Sequence, residues 1–511
     1  MTNEASQRTD RSVGRRDSPW PTWCAVFAAA SVVYVATANR GIQWQDSGLH
    51  ILRVVERQPA NPLGLALSHP LHHWMARMFF GSGMFEASFA VTLVSAIAGA
   101  AAAANVAGCV LTLTRRPAAA VFAAASLGVA HTFWQLSTVA ETYTVTAALL
   151  SAECWAIAYY AVRRRPAYLQ LALLFNGLGV ANHNLGLLTL PVLAWMAVAA
   201  LHDRRWSAGD VAVVVCGWLI GASLYIGMAL AEWVRTGDLG GTLHSALFGH
   251  AFRDAVLNVS LPWRSIGKML AFVVLCFPNL LLPAAGTGLR EIASRRTPRS
   301  LALYLFWALA IHGAFVVRYT VLDQHIFALP SYVLLCIAGG VGMSRWTAGG
   351  SPRTRHRLAT ASVVLLLGTV LLYAIAPALA RRAKVLAGVE RHRPYRDDYV
   401  YLFSPWGVAD DSAERMSREA VELAKPDGVI FVEDSMAAPA VGYGLWRSRW
   451  TEIKSISPPT DGALAAAAAS VRPLVWVPAN TTQPPKSPPM GRWQRVGDLY
   501  RLERDTSPQR P

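Results

Sequence analysis

The residues best suited to chemistry lie in short polar islands between long apolar runs. Trp44-Gln45-Asp46-Ser47-Gly48 follows the first such run, and a carboxylate held there against a low-dielectric surface could serve as a general base toward a hydroxyl. Asp and Ser are also favoured at helix amino termini, so Asp46 as a capping residue is the competing explanation. Ser68-His69-Pro70-Leu71-His72-His73 could position anionic groups or bind a metal. Adjacent His72 and His73 point in different directions on a helix, however, and no ligand spacing accompanies them. Glu141 lies where an apolar segment ends, as a reactive acid or as a solvated acid beside an aromatic belt. Asn182-His183-Asn184 interrupts an apolar stretch, and backbone unwinding with interhelical hydrogen bonds is the structural alternative to a binding role. Arg318 carries the forked geometry that suits a phosphate or diphosphate, unless it pairs with Asp323 at the lipid interface.

The elements that must position these groups are membrane helices. The chain has 511 residues, 53% of them hydrophobic and 15% charged, whereas soluble domains carry about 25% charged residues. A disordered chain, a coiled coil and a disulfide scaffold are excluded, because low-charge apolar runs dominate and the six cysteines all lie inside them. The net charge of +16 does not indicate nucleic acid, since the arginines bunch between apolar segments, as in retained cytoplasmic loops. Segments near the length needed to cross about 30 Å of hydrocarbon fall near 23–38, 84–113, 117–135, 140–162, 167–182, 185–201, 209–232, 265–285, 300–317, 326–343 and 357–379. The expectation is therefore an α-helical polytopic membrane protein with about eleven spans.

Arg8, Arg11, Arg15 and Arg16 precede the first span. Arg115-Arg116, Arg163-Arg164-Arg165, Arg204-Arg205, the Arg290 to Arg299 group and the Arg345 to Arg357 group fill every second loop thereafter. This places the amino terminus in the cytoplasm and the carboxyl-terminal region outside, in a bacterial plasma membrane as the expected setting. The first span read instead as a cleaved signal peptide leaves the following loop outside all the same. On this topology the polar islands share one face: Asp46, His50, Glu56, His69, His72 and His73, then Glu141, then Asn182 to Asn184. His244, His250, Arg253 and Asp254 follow, and last Arg318, Tyr319, Asp323 and His325. Ionisable groups near a membrane are costly and usually functional, so five outer loops are expected to line one extracytoplasmic cavity.

The organisation expected is a tail over 1–22, a transmembrane unit over 23–380 and a small extracytoplasmic α/β domain over 381–511. That last domain has a helix near 410–424, strands at Val429 to Val432, Leu474 to Val477 and Asp498 to Leu502, and a Pro-rich loop over 483–489. No internal repeat is evident, which disfavours inverted-repeat transporters.

Five blocks then stand in order along the first 340 or so residues: Asp46-Ser47-Gly48, His69-Pro70, Thr132-Phe133-Trp134 through Glu141-Thr142-Tyr143, Gly177-Leu178-Gly179 with Asn182-His183, and Asp323 through Tyr332. Together they resemble the protein O-mannosyltransferase-like membrane family of the GT-C glycosyltransferase class. The resemblance implies transfer of a sugar, mannose among the candidates, from a polyprenyl-phosphate carrier to a protein, glycan or lipid acceptor on the extracytoplasmic side. It maps the first-loop acid to Asp46, as general base or acceptor-orienting carboxylate, with Glu141 binding acceptor or donor hydroxyls. His183, Arg318 and His325 would offset charge on the leaving phosphate, and Ser47, His69, Asn182 and Asp323 would contact substrate. Single displacement would invert the anomeric carbon.

Two departures matter. Leu49 stands where relatives carry a Glu, and His69-Pro70-Leu71-His72-His73-Trp74 replaces His-Pro-Pro-Gly-Tyr-Pro. A second acid is missing there, which removes support for a bridging metal, and no cofactor is expected. The rival classes are a transporter or lipid flippase, which would want charges at the bilayer midplane, and a catalytically inactive membrane scaffold whose outer domain binds a partner. Asn258 and Asn480 begin potential glycosylation sequons.

Overall fold

The computed structural model describes residues 18–203, 206–294, 297–321, 323–486 and 491–504. The basic tail before the first span, Arg204-Arg205, Arg295-Arg296 and the end of the Pro-rich loop lie outside these.

All eleven apolar segments are helical. Seven form helices long and apolar enough to cross a membrane singly: Trp20–Thr37, Ala87–Thr114, Tyr143–Arg163, Ala208–Thr236, Arg299–Arg318, Gln324–Ala348 and Pro352–Arg382. Two expected spans are bent pairs instead: Pro117–Gly128 with His131–Ser137, at 71°, and Trp263–Cys276 with Leu281–Ala293, at 106°. The remaining two are shorter: Pro166–Asn182 has 17 residues, at the lower edge of the crossing range, and Leu190–His202 has 13, short of it. Composition reveals apolar runs but not their bends, so length counting on the sequence reads broken helices as whole ones.

Lipid gives no hydrophobic drive between helices, so small residues set how closely they approach. A Cβ on Gly288 would lie 1.8 Å from Ala338 O, and one on Gly342 would lie 1.9 Å from Ala284 O. Backbone therefore meets backbone where Leu281–Ala293 crosses Leu329–Ala348. The Ala-rich Ala87–Thr114 helix is the central post, buried on nearly every side and packed against Trp20–Thr37 and Tyr143–Arg163.

The carboxyl-terminal region carries a five-stranded sheet in the order β2-β1-β3-β5-β4, with β1 at Val429–Val432, β2 at Lys454–Ile456, β3 at Leu474–Val477, β4 at Gly491–Val496 and β5 at Leu499–Arg504. β1 pairs in parallel with β2 and β3, while β5 and β4 continue antiparallel from β3. The two parallel central strands read as unbroken apolar runs in the sequence. β2, with both its first residues exposed, and β4, which Arg492, Gln494 and Arg495 interrupt, carry no such signal.

One buried core joins this region to the membrane helices. Ile42, Trp44, Ile51 and Val54 of the first loop share it with Val91 and Val94 below, and with Met416, Val432, Val441 and Tyr443 above. The first loop is thus held between the membrane helices and the sheet region.

Candidate active site

Asp46 stands in the first turn of the Gln45–Glu56 helix, whose N-cap residue is Trp44 and whose start has no side-chain cap. The capping explanation for Asp46 therefore does not describe what is found. The helix is strongly amphipathic. Asp46, His50 and Arg53, at positions i, i+4 and i+7, share its inner face, and Arg53 is only 2% exposed. Arg53 does not pair with Asp46 directly. Its Nη2 donates to Ser68 O at 2.8 Å and also to Pro59 O, tying down the loop that leads to His69.

Glu141 arrives at the same place from the turn between His131–Ser137 and Tyr143–Arg163. Ser47 Oγ donates to Glu141 Oε1 at 3.1 Å. The Glu141 backbone is clamped by Ser95, whose Oγ accepts from Glu141 N at 2.9 Å and donates to Glu141 O at 2.8 Å. Gln43 reinforces the turn, accepting from Ala140 N at 2.8 Å and donating to Thr92 Oγ1 at 2.9 Å. Burial, then the neighbouring Asp323 carboxylate, pushes Asp46 above the usual carboxylate range, with Arg53 opposing. Burial, then Asp46 itself, pushes Glu141 up further. Asp46 and Glu141 cannot both ionise cheaply, and the pair holds a proton into the neutral range.

The histidines form a cluster. His50 lies 5.2 Å from His72 and 5.8 Å from His69 between ring centroids, and His69 stacks on His183 at 4.9 Å. His69 Nδ1 sits 2.7 Å from Asn182 O. Burial, then repulsion from one another and from Arg53, pulls His50 and His69 well below the ordinary histidine range; burial, then Arg53, brings His72 to about 3, while burial alone brings His183 to about 4. They are neutral at physiological pH. His183 Nδ1 accepts from Leu185 N at 3.1 Å, so its proton resides on Nε2 and is available to a ligand oxygen. No set of three or more His, Cys, Asp or Glu among the described residues has metal-holding geometry.

Asn182-His183-Asn184 both unwinds and bonds. The helix ends at Asn182, His183 is extended, and a 3-10 turn follows over Asn184–Leu188. Asn182 Nδ2 donates to Thr142 O at 3.0 Å and Thr146 Oγ1 at 2.9 Å, fixing the break against the Glu141 turn. Asn182 is thus a buttress, wholly buried behind the site.

Two cavities meet at the carboxylates. The first, of about 260 Å³, is lined by Asp46, His50, His69, Glu141, His183 and Arg318, and walled by leucines and phenylalanines that include Leu188, Leu247 and Phe252. Arg318 Nη1 donates to Val256 O and Asn258 O, each at 2.7 Å, so it anchors the fourth outer loop, and Asp323 faces the other cavity. The second cavity, of about 120 Å³, carries more polar groups than the first and lies against the carboxyl-terminal region. Ser47, Glu141, Asp323, His325, Tyr401 and Asp410 line it.

The structure therefore brings Asp46, Ser47, Glu141, His69, His183 and Arg318 together, and puts Asp323 and His325 across the carboxylates from Arg318 and His183. His325 stacks on Phe272 at 4.3 Å. Of the fourth outer loop only apolar residues line the first cavity, while Arg253 and Asp254 are exposed. Arg53, Gln43, Tyr401 and Asp410 are not among the residues that the sequence singles out. The helical spacing of Asp46, His50 and Arg53 was a usable signal, whereas Tyr401 and Asp410 arrive from more than 350 positions away and had none.

The overall architecture is that of the GT-C membrane glycosyltransferases, and the sequence match falls in the same class. Residues 46–207 match the family described as Protein O-mannosyl-transferase TMEM260 N-terminal domain, a segment that begins at Asp46 and contains Glu141 and His183. ArnT from Cupriavidus metallidurans in the apo state shares the fold, with a TM-score of 0.62 at 13% identity, covering 94% of this chain and 97% of that one. The same protein bound to undecaprenyl phosphate gives 0.54 at 13% identity, over 89% and 92%. No curated protein matches the chain by sequence.

Proposed function

We propose that the chain transfers a sugar from a polyprenyl-phosphate donor to an acceptor hydroxyl, with Asp46 as the general base. The observation that carries this reading is the pair of unlike cavities that meet at Glu141, with Asp46 on the first and its neighbour Ser47 on the second. One has apolar walls and ends on a guanidinium and a neutral imidazole N–H, which suits a lipid whose head is a phosphate. The other has carboxylates and a phenol among its lining, which suits hydroxyl-bearing acceptors. An acceptor hydroxyl coming from the second side would lose its proton to Asp46 while the sugar–phosphate bond breaks on the first side. Arg318 and His183 Nε2–H would stabilise the departing phosphate oxygen. Attack and departure on opposite faces invert the anomeric carbon, so no carboxylate need bond to the sugar. That ArnT binds undecaprenyl phosphate on the same fold supports the donor class.

The site would face the extracytoplasmic side, with the amino terminus cytoplasmic and residues 381–511 forming an outer domain. Arg115-Arg116, Arg163 to Arg165 and the basic group from Arg345 onward, all away from the carboxylates, support that orientation.

Purified protein in nanodiscs, assayed against a panel of radiolabelled polyprenyl-phosphate sugars, tests this reading. Wild type is expected to turn over at least one donor, and Arg318→Ala to weaken donor binding by at least about tenfold, the loss of a charge-assisted bond. Well-folded wild type that neither binds nor turns over any donor would leave the fold without this activity.

A further inference from the structure

We propose that a groove at the end of the bundle far from the carboxylates is a binding site for an anionic phospholipid. The groove has a volume of about 1050 Å³ and lies between the start of the Pro117–Gly128 helix, the end of Leu329–Ala348 and the start of Pro352–Arg382. Its floor is apolar, and Val121 and Val363, on helices either side, are 46% and 56% exposed. Its rim carries Arg115, Arg116, Arg355 and His356, and no carboxylate is among the lining residues. From Ser95, which clamps Glu141, to Arg115 is 20 positions along one helix, or about 30 Å at 1.5 Å per residue. That distance is the thickness of the hydrocarbon core, so the rim stands at the opposite headgroup level.

Arginines at helix ends also arise simply from the retention of basic loops, and that alone specifies no ligand. Three features go further. Basic side chains from two helix ends more than 200 positions apart converge on one mouth. The 31-residue Pro352–Arg382 helix brings Arg355 and His356 of its first two turns to the same mouth, so the positive end of its dipole lies close by, although Ser351 Oγ caps Thr354 N–H at 3.2 Å. The helices do not close the space beneath it: only 22% of the apolar window of Pro352–Arg382 is buried. A basic mouth over an apolar floor at headgroup depth complements a lipid with a negative head and acyl chains. The volume is at the top of the usual range of about 300–1,000 Å³ for a small-molecule site.

The test is retention of lipid by native mass spectrometry, after detergent extraction from nanodiscs containing equal phosphatidylglycerol and phosphatidylcholine. Wild type should carry a phosphatidylglycerol adduct in preference to phosphatidylcholine. Arg115→Gln with Arg116→Gln and Arg355→Gln should reduce that preference by at least about tenfold. Substituting Arg163, Arg164 and Arg165 by Gln removes the same charge elsewhere and should leave it intact. Val363→Trp keeps every charge but fills the groove from an exposed position, and should remove the adduct even if the triple variant does not fold. Equal losses in the two triple variants, an adduct that survives Val363→Trp, or its displacement by inorganic phosphate would each overturn the proposal.

Discussion

Asp46 has to be ionised to accept a proton, yet burial and Asp323 favour its neutral form. Activity should therefore fall with pH on an acidic limb placed above the ordinary carboxylate range. Asp323→Asn removes the like charge that raises Asp46, so the limb should move to lower pH, which a pH profile of kcat/KM will show. An unchanged limb would mean that another group sets it. Stability follows with the opposite sense. With the folded-state pKa raised, native protein binds more protons than unfolded chain between the ordinary carboxylate range and the raised value, so wild type loses stability as pH rises through that window. Asp46→Asn escapes this penalty, and its melting temperature should gain on wild type as pH increases from about 4, a range set by the ordinary carboxylate pKa. A gap that shrinks with pH would reverse the assignment.

At the scale of elements, the site depends on turns and breaks packed against helix ends. A Cβ on Gly48 would lie 2.4 Å from Gln43 O, so Gly48→Ala must displace the loop that carries Gln43 and Asp46. A cost of about 1–3 kcal/mol is expected, measured by denaturation in detergent, with loss of activity beyond what stability explains. Wild-type stability would show that the loop has slack. Much here was legible from residue types: the apolar runs, the helix at 412–424, the strands β1 and β3, and the polar interruption at Asn182-His183-Asn184. The 71° and 106° bends were not, because a bent pair and a straight span have the same composition. Nor was the division of the outer-loop residues between two cavities. Asp323 and His325 adjoin Arg318 in sequence but face the other way, a matter of chain direction after the Arg299–Arg318 helix rather than of residue type.

Over the whole molecule, the carboxyl-terminal region forms part of the site. Asn39 Nδ2 donates to Gly407 O at 3.2 Å and Asp410 O at 2.9 Å, Trp44 Nε1 to Ser412 Oγ at 2.7 Å, and Gln45 N to Met436 O at 3.0 Å. Glu414 accepts from Ile42 N at 2.9 Å while it pairs with Arg447. The loop bearing Asp46 is thus gripped along its length by a region that sequence reading treated as an appended module. Glu414→Ala leaves Ile42 N and Arg447 without their acceptor, and should cost about 1–3 kcal/mol and lower kcat while leaving donor affinity unchanged. Loss of donor affinity alone would place the region's role elsewhere.

The most direct test of the central claim is turnover by Asp46→Asn, with its donor Kd measured in the same nanodiscs. The expected result is at least about a hundredfold loss of kcat, the contribution of a general base, with donor affinity within about twofold of wild type. Near-wild-type turnover by Asp46→Asn would contradict it, and the base would have to be sought among the other carboxylates.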